Sequence, residues 1–135
     1  MLPEFAPATN HKNFIIENNT RLTYGQALVL QKAAAANLVI ESAKYHSPQL
    51  FGKFADAVMA DKPILCIGPA TSEARRVVGN DYPYQATNGN EEEIRLMIDT
   101  LYRNWREQPT QTLQRPDLQH AFHLQRLVDA INSWL

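Results

Sequence analysis

The chain has 135 residues, enough for one domain with a buried core. Apolar residues make up 44% and charged residues 20%, a globular balance that excludes disorder and fibre. Thirteen Lys and Arg against fourteen Asp and Glu leave a net charge of -1, without the basic excess of a general nucleic-acid binder. The single Cys66 allows no internal disulfide, so the core alone must hold the fold, as in a reducing cytosol. The longest apolar stretch, Ala33 to Ile40, is interrupted by Asn37 and falls short of the roughly 18–20 residues that a membrane span needs. The first residues lack the basic start and apolar run of a secretion signal.

In chain order, Pro3 and Pro7 mark an irregular start, and Phe14-Ile15-Ile16 reads as a short strand. Thr23 with Gln26 forms a capping box, predicting a helix to about Ala36. Leu38-Val39-Ile40 is a brief apolar run of the kind buried in a parallel sheet. Ser47 followed by Pro48 reads as an N-cap with proline in the first helical position. Leu50, Phe51, Phe54, Ala57 and Val58 then recur at helical spacing.

Pro63 to Ile67 is the clearest strand, ended by Gly68-Pro69. Thr71 or Ser72 caps a short helix through Val78, and Tyr82 to Ala86 predicts a further strand. Asn90 opens a helix whose first turn holds Glu91, Glu92 and Glu93, where the helix dipole favours negative charge. Its apolar stripe is Ile94, Met97, Leu101 and Trp105. The polar stretch from Glu107 to Pro116 leads to a last helix from Asp117, with Leu118, Phe122, Leu124, Val128, Ile131 and Leu135 on a broad apolar face.

This alternation predicts a single α/β domain over residues 1–135, with a Rossmann-like parallel sheet flanked by helices. In such sheets ligands bind outside the carboxyl ends of the strands, so the loops after Ile40 and Ile67 are the ones to watch. A helix opening at Pro48 would present free backbone N–H groups there, a cradle for phosphate. Ser47 would add a hydroxyl and Lys53 a point charge. Asp56, three residues beyond Lys53, could accept hydrogen bonds from two sugar hydroxyls, or simply form a weak surface ion pair with that lysine.

Lys53, Asp56, Lys62 and Pro63, in K-F-A-D-A-V-M-A-D-K-P-I-L, resemble a motif in the C-terminal domain of GT-B glycosyltransferases. In a subset of that family a lysine is followed three residues later by a glutamate, then by a small-residue helix ending in Gly-Lys-Pro and a strand. Ala36-Asn37-Leu38-Val39-Ile40 resembles the family's earlier Ala-Asp-apolar strand, and the likeness runs from about Arg21 to Trp105. It implies that Asp56 grips the ribose hydroxyls of a nucleoside diphosphate sugar and that Lys53 faces the diphosphate. It also implies that the loop Pro69-Ala70-Thr71-Ser72 completes the donor site. Asp56 is one methylene shorter than the family's glutamate, and Pro48 stands where many members have a second glutamate.

The resemblance further implies a cytoplasmic transferase of the kind used in polysaccharide biosynthesis, with no cofactor beyond the donor sugar nucleotide. The acceptor domain would lie outside this chain, and the last helix, left partly uncovered, would favour self-association. A non-enzymatic flavodoxin-like or receiver-like interaction module is the alternative. Glu17 is the lone acid beside the first strand, fewer than the Mg²⁺-binding cluster of a receiver requires.

Among the other candidates, His120 and His123 have a spacing that can share a metal, though surface or packing roles are the simpler reading. His46 could reach a phosphate from its loop, as could Arg75 or Arg76 from an otherwise exposed helix face. Cys66, between Leu65 and Ile67, reads as a buried thiol, and Trp105 and Trp134 read as packing groups.

Overall fold

The computed structural model describes residues 6–7, 16–17, 21–42, 45–50 and 52–134. Two short strands, β1 (Ala6–Pro7) and β2 (Ile16–Glu17), pair antiparallel with each other. Phe14 and Ile15 of the expected first strand lie outside the described residues. Helix α1 (Tyr24–Ala33) opens with the expected capping box: the Thr23 hydroxyl accepts from the Gln26 amide, and the Gln26 side chain accepts from the Thr23 amide. It stops earlier than Ala36, because Ala34 turns to an extended conformation to feed the next strand.

β3 (Asn37–Ile40), β5 (Ile64–Gly68) and β7 (Gln85–Thr87) form a parallel three-stranded sheet in the order β3-β5-β7. Beyond its carboxyl end, β4 (His46–Ser47) and β6 (Thr71–Ser72) form a second, two-stranded parallel pair. α2 (Gly52–Met59) joins β4 to β5, and α3 (Glu73–Val78) leads from β6 toward β7. Gly79 closes α3 at φ 91°, a left-handed value that favours glycine, while its amide bonds the Arg75 carbonyl.

The sheet separates two cores. On one face Phe54, Ala57 and Val58 of α2 and Ala74 and Val78 of α3 pack on Val39, Ile64 and Cys66. Leu113 and Leu118 complete this core. On the other face α4 (Glu91–Glu107), capped by Asn90, lays Met97 against Leu65, Tyr84 and Ala86. Of its expected stripe, Ile94 and Leu101 are half-buried beside Met97, but Trp105 turns outward and stacks on Tyr102.

Four further expectations change. β3 is buried on one face only: Val39 points into the core, while Leu38 and Ile40 are 57% and 62% exposed, because α4 covers β5 and β7 but not this edge. The helix expected from Pro48 begins instead at Gly52, since pairing with β6 draws His46 and Ser47 into extended backbone. β7 begins at Gln85 and not Tyr82, because Tyr82 is held across the sheet, its hydroxyl accepting from the Ile64 amide at 2.8 Å.

The expected last helix is two helices, α5 (Pro116–Phe122) and α6 (Leu124–Asn132). His123, in extended conformation, breaks them apart and caps α6 by accepting from the Gln125 amide. α5 packs inward through Leu118 and through Phe122, whose ring meets Phe54 edge-on at 5.9 Å. α6 buries no residue.

Candidate functional site

The carboxyl ends of parallel strands gather the amino ends of the following helices, and here they bring the candidate residues to one end of the domain. Lys53 lies exposed in the first turn of α2, and Asp56, partly exposed, lies one turn on. They form no ion pair with each other; the two ion pairs among the described residues are Arg76–Glu73 and Arg115–Asp117. Asp56 instead meets α1, where the Tyr24 hydroxyl donates to its Oδ1 at 3.2 Å. That bond holds the Tyr24 phenol above its ordinary pKa, because the neutral hydroxyl is the donor beside a carboxylate. The Asp56 carboxylate is therefore partly exposed and held from α1, not turned into the packed interior, with the Tyr24 ring 67% exposed beside it.

Ser47, Thr71 and Pro69 are close through β4 and β6, whose register sets His46 opposite Thr71 and Ser47 opposite Ser72. Ser47 is not the N-cap that the sequence suggested: it is buried, and its hydroxyl donates to the Gln49 carbonyl. Pro69 is fully buried under the turn, whereas Thr71 and His46 face solvent. Ser72 caps α3, its hydroxyl accepting from the Arg75 amide at 3.2 Å. A cradle built on the first turn of α2 is therefore drawn from Gly52 onward, one turn later than Pro48.

Beneath these loops lies a polar group that sequence reasoning passed over. Glu41 follows β3 directly: its amide donates to the Ile67 carbonyl at 2.8 Å, and its carbonyl accepts from the Asn88 side chain at 2.7 Å. Its side chain is 3% exposed, and Oε1 has no hydrogen-bond partner. Arg75, in α3, donates to the Thr87 hydroxyl at 3.1 Å, leaving its buried Nε also without a partner. Thr87 donates its amide to Glu93 at 2.7 Å, and that bond holds the Glu93 carboxyl below the ordinary carboxylate range. Arg76, by contrast, spends its charge on Glu73 at the surface. The available signal was a charged residue placed directly after an apolar strand, at the end where ligands bind.

Cys66 lies at the centre of this region, buried as its sequence context suggested. Burial pushes its thiol up to about 12, with Glu41 adding to the shift and Arg75 opposing it. The neutral thiol is no nucleophile at neutral pH.

A cavity of about 680 Å³ lies at the opposite end of the sheet, between Val78–Tyr84, the end of α4 and the stretch leading to Arg115. Internal bonds occupy several of its polar groups, although Gln111 Nε2 is buried without a partner. Asn104 donates to the Tyr84 hydroxyl at 2.7 Å, and Arg115 donates to the Val78 carbonyl and to Asp117. His120 and His123 line a second hollow with Met59, Pro116 and Gln119. Among the described residues no three metal-ligating side chains come together.

Comparison with protein-family profiles, with curated proteins and with solved structures found no match to this chain. The structure itself defines an α/β protein with a small parallel sheet flanked by helices, a form compatible with Rossmann-like architecture. Among the described residues no helix is long and apolar enough to cross a membrane.

Proposed function

We propose that this chain is the donor-nucleotide domain of a GT-B glycosyltransferase, an enzyme that moves a sugar from a nucleoside diphosphate to an acceptor hydroxyl. The observation that supports the reading is Asp56 itself, a partly exposed carboxylate bonded by the Tyr24 hydroxyl, one turn past the exposed Lys53. In this reading Asp56 accepts hydrogen bonds from the two ribose hydroxyls, and the exposed Tyr24 ring offers the base an apolar face. Lys53 and the first amides of α2 balance the charge that the diphosphate gains as it leaves, so the domain acts by positioning and electrostatics. Thr71 and the turn from Pro69 close the site on the β5 side. The acceptor-binding domain is the partner this reading requires.

Titration of isotope-labelled protein with UDP, GDP and ADP tests it. One of them is expected to shift amide signals of Gly52, Lys53, Asp56 and Thr71, and Asp56→Ala to weaken that nucleotide about tenfold while its 2′-deoxy analogue changes little. Silence toward all three nucleotides, with a folded protein, overturns the reading.

A protein-interaction module is the competing reading, and a specific observation favours it: Leu124, Leu127, Val128, Ile131 and Trp134 present an uncovered apolar row along and just beyond α6. Nucleotide silence together with concentration-dependent sedimentation is the outcome expected of that module.

A further inference from the structure

The register of the sheet places Glu41 on a specific rung. Asn37 stands opposite Ile64 and Val39 opposite Cys66, so the next rung on the α2–α3 face sets Glu41 beside Gly68. Gly68 leaves the room that this carboxylate occupies: a Cβ there would lie within 2.3 Å of Glu41 Oε2. The Glu41 carboxylate therefore lies across the carboxyl end of β5, above Cys66 and on the face covered by α2 and α3.

Two unlike charges are left incomplete on this floor. Glu41 Oε1 and Arg75 Nε are both buried without a partner, and no ion pair joins the two side chains. Arg75 bonds the Thr87 hydroxyl, and Thr87 stands opposite Gly68 in register as Glu41 does on the other side, so both side chains belong to the Cys66 face of the sheet. An unmade hydrogen bond on a buried charged group is costly, and a structure keeps one where something else completes it. The chemistry of the completing group is constrained. A phosphate would suit Arg75 but be repelled by Glu41, and an ammonium would suit Glu41 but be repelled by Arg75. A hydroxyl both donates and accepts, so a ligand rich in hydroxyls suits both groups.

We propose that Glu41 and Arg75 form the subsite for the transferred sugar, Glu41 accepting from a sugar hydroxyl and Arg75 Nε donating to one. This rests on the donor-domain reading, which lays the ribose at Asp56 and the diphosphate over the start of α2. The group carried beyond the diphosphate then meets the end of β5, where Glu41 and Gly68 lie. Glu41 is the residue that discriminates a sugar conjugate from the bare nucleotide.

Calorimetric titration of the chain separates this proposal from the reading beneath it. The probes are UDP, GDP and ADP, each alone and as its glucose, galactose, mannose and N-acetylglucosamine conjugates. Glu41→Gln is expected to weaken at least one conjugate about tenfold while leaving the matching nucleoside diphosphate within about twofold. Arg75→Lys tests the donor side of the same subsite, with a loss again confined to conjugates. In the unaltered protein, the side-chain carboxyl carbon of Glu41 should shift in its NMR signal with the conjugate and not with the bare nucleotide.

Equal losses for nucleotide and conjugate mark a merely structural carboxylate and overturn the proposal. So does an unchanged conjugate affinity, which leaves an ordered water as the completing group. In both cases nucleotide binding survives, and with it the donor-domain reading. If no nucleotide binds the unaltered protein, both fall.

Discussion

Helices α2 and α6 are both amphipathic and nearly equal in length, yet one is buried and the other bare. α2 sinks Phe54, Ala57 and Val58 into the sheet-facing core, with the Phe122 ring closing over Phe54. α6 carries Leu124, Leu127, Val128 and Ile131 on one side and buries none of them, with Trp134 just beyond it 83% exposed. The difference shows what an apolar stripe means. It states that a helix has a face to cover, but not what covers it. α2 is tethered between two paired strands, so its face must return to the sheet; α6 follows a break at His123 that separates it from the inward-packed α5.

This contrast breaks most sharply on stability. Phe54→Ala removes a fully buried ring and is expected to cost about 3–5 kcal/mol in chemical denaturation. Leu127→Ala should stay within about 0.5 kcal/mol, as for an exposed position. A cost above about 1 kcal/mol for Leu127→Ala in the monomer would show that α6 has a covered face after all.

A smaller effect is expected where the sheet meets the candidate site. Gly68→Ala forces the Glu41 side chain out of its place, at about 1–2 kcal/mol, and adding Glu41→Ala should recover most of that loss. If the second change recovers nothing, the strain lies elsewhere in the turn.

Reactivity separates the interior from the surface in another way. The Cys66 thiol, pushed up to about 12 mainly by burial, should resist alkylation at pH 8 in the folded protein and react readily once denatured. Comparable rates in both states would mean that the central strand opens often.

The mildest test is pH. Glu93, held by the Thr87 amide, and Asp117, held by the Arg115 side chain, both have folded pKa values below their ordinary ones. Their contribution to stability is therefore complete above the ordinary carboxylate range and is lost as pH falls through the lowered values. Both groups are nearly exposed, so screening keeps the effect to a fraction of a kcal/mol each, about the size of a surface pair. Denaturation midpoints for Glu93→Gln and for the unaltered chain should converge as the pH is lowered toward 3, a convergence that a purely steric role for Glu93 would not produce.

Much of the fold was legible in the residues. The Thr23–Gln26 box, the Asn90 cap and the apolar run before Gly68 each depend on neighbours a few positions away, so local rules locate them. The start of α2 was not legible. Ser47-Pro48 satisfies the local rule for a helix start, yet Ser47 is drawn to Ser72, 25 residues along, and pairing there outweighs capping. The division of the last helix was hidden in the same way, because Leu118 and Phe122 turn to a core that α6 does not reach.

Of the candidate site, the sequence alone determined the acid and the lysine one turn apart, since helical spacing fixes that geometry wherever the helix lies. Only tertiary structure decided that Tyr24 engages Asp56, that Ser47 turns inward, and that Glu41 and Arg75 each bury a polar atom without a partner. Contacts between residues far apart in the chain depend on how strands register and helices seat, and no short stretch of sequence holds that information.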